Sequence, residues 1–288
     1  MSPNMVGACL MMASMACFTL NDTMLKLTDG TVPLFQLLCL RSMITVGLIG
    51  VTKGRLGALH FRVSRRDWTL IGIRAGTEVV IAYFFLTALL NMPLANMTAI
   101  MQAVPLTVTL ASALVLREAV GWRRMLAIAV GFAGVMLIVK PGAEGFNIWS
   151  VYALISVFGV TIRDLVTRRL SADVPSMTVT LVTALTVLVA SGLASLNAPW
   201  VAIGAGNAGL ITASAFCIFG GYFFSIQVMR TGDVSFVAPF RYTGLIWALV
   251  LGWFFFGEWP GVLTLIGATI VVATGIFSFY RERKLSAR

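Results

Sequence analysis

Phe18–Pro33 reads FTLNDTMLKLTDGTVP, and Val160–Pro175 reads VTIRDLVTRRLSADVP. Laid over one another at an offset of 142, Thr19 falls on Thr161, Asp22 on Asp164, Val32 on Val174 and Pro33 on Pro175. Leu20 meets Ile162, and Lys26 meets Arg168. Each copy is an apolar helix with an Asp near its end, a basic residue four positions on, and a turn closed by Pro. Other stretches echo one another too. Tyr83-Phe84-Phe85 returns as Tyr222-Phe223-Phe224 at an offset of 139, and Glu118-x-x-Gly121 as Glu258-x-x-Gly261 at 140. The drift in offset marks small loop insertions. The chain therefore reads as two diverged copies of one unit, 1–142 and 143–288, forming one membrane domain. In a membrane chain such a repeat points to a transporter with its site between the copies.

Hydrophobic residues make up 59% of the chain and charged residues 11%, with a mean hydropathy of +0.93. A soluble domain carries roughly a quarter charged residues, so the partner of this surface is a lipid bilayer. The net charge of +10 then marks one membrane face and not a nucleic-acid site. Cys9, Cys17, Cys39 and Cys217 lie in apolar runs without metal-ligand spacing, and read as small packed side chains. One histidine, His60, cannot build a metal cluster. Gly-rich phosphate loops, paired zinc ligands and nucleophile motifs are all missing. No cofactor, metal or catalytic residue is expected, and the chain does not read as an enzyme. The first apolar run lacks a charged leader and carries Asn21 and Asp22, so it does not read as a cleavable signal.

Ten apolar runs are long enough to span a membrane: 5–25, 34–52, 68–90, 95–116, 121–139, 147–168, 176–196, 207–229, 234–256 and 261–280. A spanning helix satisfies its own backbone, so the fold should be all-α. Fifteen Lys and Arg fall on one side of this arrangement: Lys53, Arg55, Arg62, Arg65 and Arg66; Arg117, Arg123 and Arg124; Arg168 and Arg169; Arg230; Arg281, Arg283, Lys284 and Arg288. The other side holds Lys26 and Lys140. Both termini are therefore expected in the cytoplasm. Five spans per copy is odd, so the copies insert in opposite orientations.

Leu116–Gly142, LREAVGWRRMLAIAVGFAGVMLIVKPG, resembles the end of the first repeat in the drug/metabolite transporter superfamily, EamA type. Arg117-Glu118, Gly121-Trp122-Arg123-Arg124, Gly131-Phe132-Ala133-Gly134-Val135 and Pro141-Gly142 carry the likeness. Gly257-Glu258, Gly267 and Gly275 give a weaker copy, with Gly275 one residue out of phase with Gly134. The resemblance implies a multi-pass protein of the bacterial inner membrane. It also implies a cavity between helices 3, 4, 8 and 9 with parts of 1 and 6. Within the superfamily the chain is most similar to the exporters of aromatic and other neutral amino acids. That branch implies export of a small-molecule substrate, an amino acid, by alternating access. A channel-like facilitator, or a carrier of nucleotide sugars or lipophilic cations, are the alternative readings.

Gly131, Gly134, Gly267 and Gly275 suit close helix packing, within a monomer or in a homo-oligomer. Asp22 with Lys26, and Asp164 with Arg168, are i, i+4 pairs of opposite charge; inversion places them near opposite faces, as gates would be. Arg41, Arg74, Arg163, Arg241 and Glu78 lie inside apolar runs. A charge there costs about 2.5–3.5 kcal/mol and should face protein or water. Glu78 lies about 15 Å deep and can pair Arg74 or Arg241. Arg241 has no acid within four positions, so it is the expected ligand of a substrate carboxylate, with Tyr242 and Gln102 orienting the substrate. Thr98 shares a helical face with Gln102. Tyr83, Tyr222 and Trp247 are candidate aromatic walls.

Overall fold

The computed structural model describes residues 2–52, 60–115, 121–140, 147–171, 173–196, 199–231 and 234–286. All regular structure among them is helical. The helices are α1 (Pro3–Lys26), α2 (Leu34–Thr52), α3 (Arg65–Asn91), α4 (Leu94–Val115), α5 (Trp122–Val139), α6 (Ile148–Arg168), α7 (Ser176–Ser195), α8 (Ala205–Thr231), α9 (Ala238–Phe256) and α10 (Val262–Ser286). Nine are long and apolar enough to cross a bilayer, and α5 contributes the shorter apolar stretch Met125–Val139. The basic loop residues Lys53, Arg55 and Arg117 and the motif residues Glu118, Pro141 and Gly142 lie outside the described residues.

Local sequence sets the helix ends. Ser2, Ser64 and Asn147 cap α1, α3 and α6 by accepting from Met5 N, Asp67 N and Ser150 N, which satisfies donors that a helix start leaves free. Pro33 and Pro175 close the repeated turns immediately before α2 and α7. Two helices depart from regular α geometry near a proline. In α4 the helical segments Leu94–Met101 and Val104–Val115 meet at Gln102-Ala103, because Pro105 has no N–H for the carbonyl four residues back. In α9 a 3-10 segment, Ala238–Tyr242, holds Pro239 and leads into Thr243–Phe256.

The repeats interlock. Exchanging α1–α5 with α6–α10 reproduces the packing: α1 runs along α8 as α6 runs along α3, and α1 meets α9 as α6 meets α4. The pairs α2 with α7, and α5 with α10, map onto themselves. Hydrogen bonds repeat the relation. Gln36 on α2 clamps the backbone of Val201, with Nε2 donating to O at 2.8 Å and Val201 N donating to Oε1 at 3.0 Å. Thr178 on α7, its equivalent at the 142 offset, clamps His60 at 3.1 and 3.0 Å. The α5–α10 seam is tight because it is built on glycine. A Cβ added to Gly134 would lie 2.9 Å from Gly267 O, and one on Gly267 would lie 2.5 Å from Gly134 O. Gly131 faces Leu106 and Thr274 in the same seam. All four sequence-predicted packing glycines thus meet neighbours of their own chain.

Candidate substrate site

Polar groups from α1, α2, α3, α6 and α8 converge between the repeats. On α1, Ser14 Oγ donates to Gly221 O at 2.8 Å, which draws α8 close. Phe18 then lies edge-on to Tyr222, with ring centroids 5.5 Å apart. One turn further, buried Asn21 donates its Nδ2 to Asp22 Oδ1 at 2.9 Å. Its Oδ1 accepts from Arg41 of α2 at 3.5 Å. Arg41 forms no ion pair within 4 Å among the described residues.

Across this space α3 and α6 supply a second group. Arg163 binds Glu78 Oε2 at 3.3 Å and Asp164 Oδ1 at 3.0 Å. Arg74 donates Nε to Thr167 Oγ1 at 3.0 Å and NH1 to Thr183 Oγ1. The cluster holds three guanidiniums (Arg41, Arg74, Arg163) and three carboxylates (Asp22, Glu78, Asp164). Its charges balance but its pairing does not. Among the described residues Arg163 takes two carboxylates, while Arg41 and Arg74 bind only neutral oxygens and Asp22 only an amide. Half-buried charges in apolar helices should face protein or water, since lipid would penalise each by about 2.5–3.5 kcal/mol.

Several expected pairs are replaced by others. Lys26 does not bind Asp22; it reaches Glu258 Oε1 at 3.3 Å and donates to Met92 O at 2.7 Å. Asp22 is engaged by its own neighbour Asn21. Asp164 takes Arg163 in place of Arg168, whose NH1 donates to Ser112 Oγ at 3.2 Å. Glu78 belongs to Arg163, not to Arg74 or Arg241. Lys26, Arg168 and Glu78 thus find partners on other elements, while Asp22 and Asp164 are each held by the residue before them.

The residues grouped around Arg241 do not converge. Tyr242 is buried against Gly275 of α10, beside Phe279, and its hydroxyl finds no partner among the described residues. Gln102 lies at the α4 break, next to Gly244 and Met15. Thr98 is half-buried one turn before it. Trp247 is exposed. Tyr83 stacks on Phe35 at 5.9 Å, in a crevice between α2, α3 and α7. Tyr222, Glu78, Asp22 and Asp164 do reach the cluster. Arg41, Arg74, Arg163 and Asn21 were not among the expected site residues. Arg41 has no acid within four positions, the same signal that singled out Arg241.

An all-helical chain of two interlocked, inverted five-helix repeats around a polar, charge-bearing interior is a multi-pass membrane transporter and not an enzyme. The chain belongs to the EamA-like transporter family, which it matches over residues 5–140 and again over 147–280. It is thus a protein of the inner membrane. It is 24% identical over 196 residues to an S-adenosylmethionine uptake transporter of Rickettsia conorii, covering 68% of this chain and 66% of that one. It is 33% identical over 201 residues to a riboflavin transporter of Vibrio cholerae, covering 66% and 64%. It is 26% identical over 276 residues to the pseudopaline exporter CntI of Pseudomonas aeruginosa, covering 93% and 94%. A crystal structure superposes with a TM-score of 0.66 at 19% identity over 97% of this chain and 98% of that one, a likeness of fold. None of these three relatives is named as an amino-acid exporter.

Proposed function

We propose that this transporter carries small zwitterionic metabolites of the amino-acid class by alternating access between the repeats 1–142 and 143–288. The observation that supports this reading is the separated pair Arg41 and Asp22, bridged only by Asn21. A guanidinium offers a fork of donors that matches a carboxylate. A carboxylate without a cationic partner suits an ammonium group. One amino-acid head group supplies both at once, so its binding would complete the pairing that the protein leaves open. Arg41 takes over the role first expected of Arg241, because Arg41 has an acid across from it. S-adenosylmethionine, the substrate named for one relative, carries such a head group. The relatives include both an uptake transporter and an exporter; outward movement is the direction that the sequence resemblance supports. The excess of Lys and Arg on one side supports cytoplasmic termini.

The test is flux in liposomes. A charge-assisted fork contributes about 1.5–3 kcal/mol, hence about 10- to 150-fold in affinity. Arg41→Gln should weaken free amino acids by that factor and leave their amides nearly unaffected. Equal loss for acids and amides would remove Arg41 from the site. A selective loss in Arg241→Gln would return the carboxylate to Arg241. Internal substrate should accelerate uptake of external substrate; an open channel would show no such counter-flow.

A further inference from the structure

We infer that Lys26 and Glu258 form an outer latch, and that its release lets the outer half of α3 swing back into a crevice behind it. This rests on the alternating-access reading, but not on the identity of the substrate.

Four helices meet at the latch. Lys26 ends α1 and is sealed, with a side chain 10% exposed. Its ammonium donates to Leu89 O and Met92 O at the end of α3, binds Glu258 Oε1 after α9, and lies 5.2 Å from the Phe256 ring. The second oxygen of Glu258 accepts from Leu94 N at 3.0 Å, so it also caps α4. Gly257, at φ +62°, turns the chain so that Glu258 points back under α9. The α3–α4 junction beneath lies in the core: Leu89, Leu94, Met97 and Ile100 are fully buried. The outer end of α3 is thus held inward, toward α1, α4 and α9.

Behind α3 lies a crevice of about 270 Å³ between α2, α3 and α7. Its lining repeats at the opposite end of the molecule. Phe35 and Leu38 of α2 correspond to Met177 and Thr180 of α7 at the 142 offset, and Tyr83 and Phe84 of α3 to Tyr222 and Phe223 of α8 at 139. That second crevice holds only about 10 Å³. So α3 stands off its backing helices where α8 rests on its own. The two repeats are therefore caught in different arrangements at these crevices. Arg168, which matches Lys26 in sequence, is exposed and donates to Ser112 Oγ, while Glu118, the match of Glu258, lies outside the described residues. Inverted repeats that exchange arrangements exchange the open side. In the other state, α3 would lie back into the 270 Å³ space and the outer path would open.

Spin labels on a cysteine-free chain in liposomes test this. One pair, at Asn91 and Trp259, spans the latch; the other, at Asn91 and Leu193, spans the crevice. All three positions are exposed. Glu258→Gln and Lys26→Met should each lengthen the first distance and shorten the second. The ratio of outer-closed to outer-open chains should fall at least about tenfold, or 1.4 kcal/mol. Unchanged distances in a variant that still transports would overturn the latch and leave the zwitterion reading standing. If both distances lengthen, α3 does not enter the crevice and the inference fails. Should the latch variants misfold, Ala190→Phe provides a separate arm. Filling the crevice should hold the first distance short and abolish flux of a radiolabelled neutral amino-acid mixture. Flux equal to the parent's would refute the swing.

Discussion

Arg163 binds two carboxylates, and the cost of removing it can be worked from the geometry. Breaking a buried pair from one side costs about 3–5 kcal/mol, and an exposed pair about 0–1. The side chains of Arg163, Glu78 and Asp164 are 23%, 16% and 30% exposed, which lies between these limits. We expect Arg163→Gln to destabilise by about 2 kcal/mol, since Arg74 is held by Thr167 and Thr183 and cannot take over both acids. At about 2–4 °C per kcal/mol for chains somewhat shorter than this one, the Tm should fall by about 4–8 °C. The decisive comparison is the triple variant Arg163→Gln, Glu78→Gln, Asp164→Asn. It leaves no stranded charge and should recover most of the loss. Thermal unfolding in one detergent, followed by tryptophan fluorescence, measures both. A single variant as stable as the parent, or a triple variant as unstable as the single, would refute the claim that this group is a closed structural network.

Gly134→Val should destabilise by about 1–3 kcal/mol through overpacking, because its first added carbon already meets Gly267 O at 2.9 Å; a Tm within 1 °C of the parent's would contradict that seam. Gln36→Ala should cost about 1–2 kcal/mol, at about 1 kcal/mol for each of its two bonds to Val201, and raise amide exchange at Val201 N; unchanged exchange would show the clamp to be dispensable. A single cysteine at exposed Gly204 should react with an impermeant thiol reagent added outside sealed cells, and one at exposed His60 should not; labelling at position 60 would reverse the topology.

The sequence carried the helices well because lipid leaves little choice. A run of apolar residues must close its own hydrogen bonds, so nearly every helix begins and ends within a few residues of its apolar run. The interruptions were less plain. Pro105 announces the break in α4, but Pro239 sits in a 3-10 segment that composition alone does not separate from helix. The charges were legible as a set and not as pairs. Asp22, Lys26, Asp164, Arg168, Arg74 and Glu78 all carry the i, i+4 spacing that suggests partners on one helix. In the bundle Lys26, Arg168, Arg74 and Glu78 find partners on other elements, and Asp22 and Asp164 take the residue before them, so exposed-helix pairing energies of about 0.2–0.5 kcal/mol do not decide the outcome. Glu258 was visible only as an echo of Glu118. Its role appears once α1, α3, α4 and α9 meet.

The cluster's departure from symmetry bears most directly on transport. Asp22 and Asp164 occupy the same place in their repeats, yet Asn21 precedes one and Arg163 the other. The second repeat therefore neutralises its own acid, and Arg163 adds Glu78 as well. The first repeat leaves Asp22 beside an amide, with Arg41 beyond it. A closed network is rigid and stays satisfied whether or not substrate is present. An open one retains a desolvation cost that a zwitterion can offset. Ligand can shift a two-state equilibrium only by its difference in affinity between the states. Substrate at the first repeat, adjoining the α1 helix that ends in Lys26, would act on the element that carries the latch. Asp22→Asn should therefore weaken amino acids more than their deaminated analogues. Asp164→Asn should lower stability without that discrimination. If the two variants lose both ligand types to the same extent, the division of labour between the repeats is wrong.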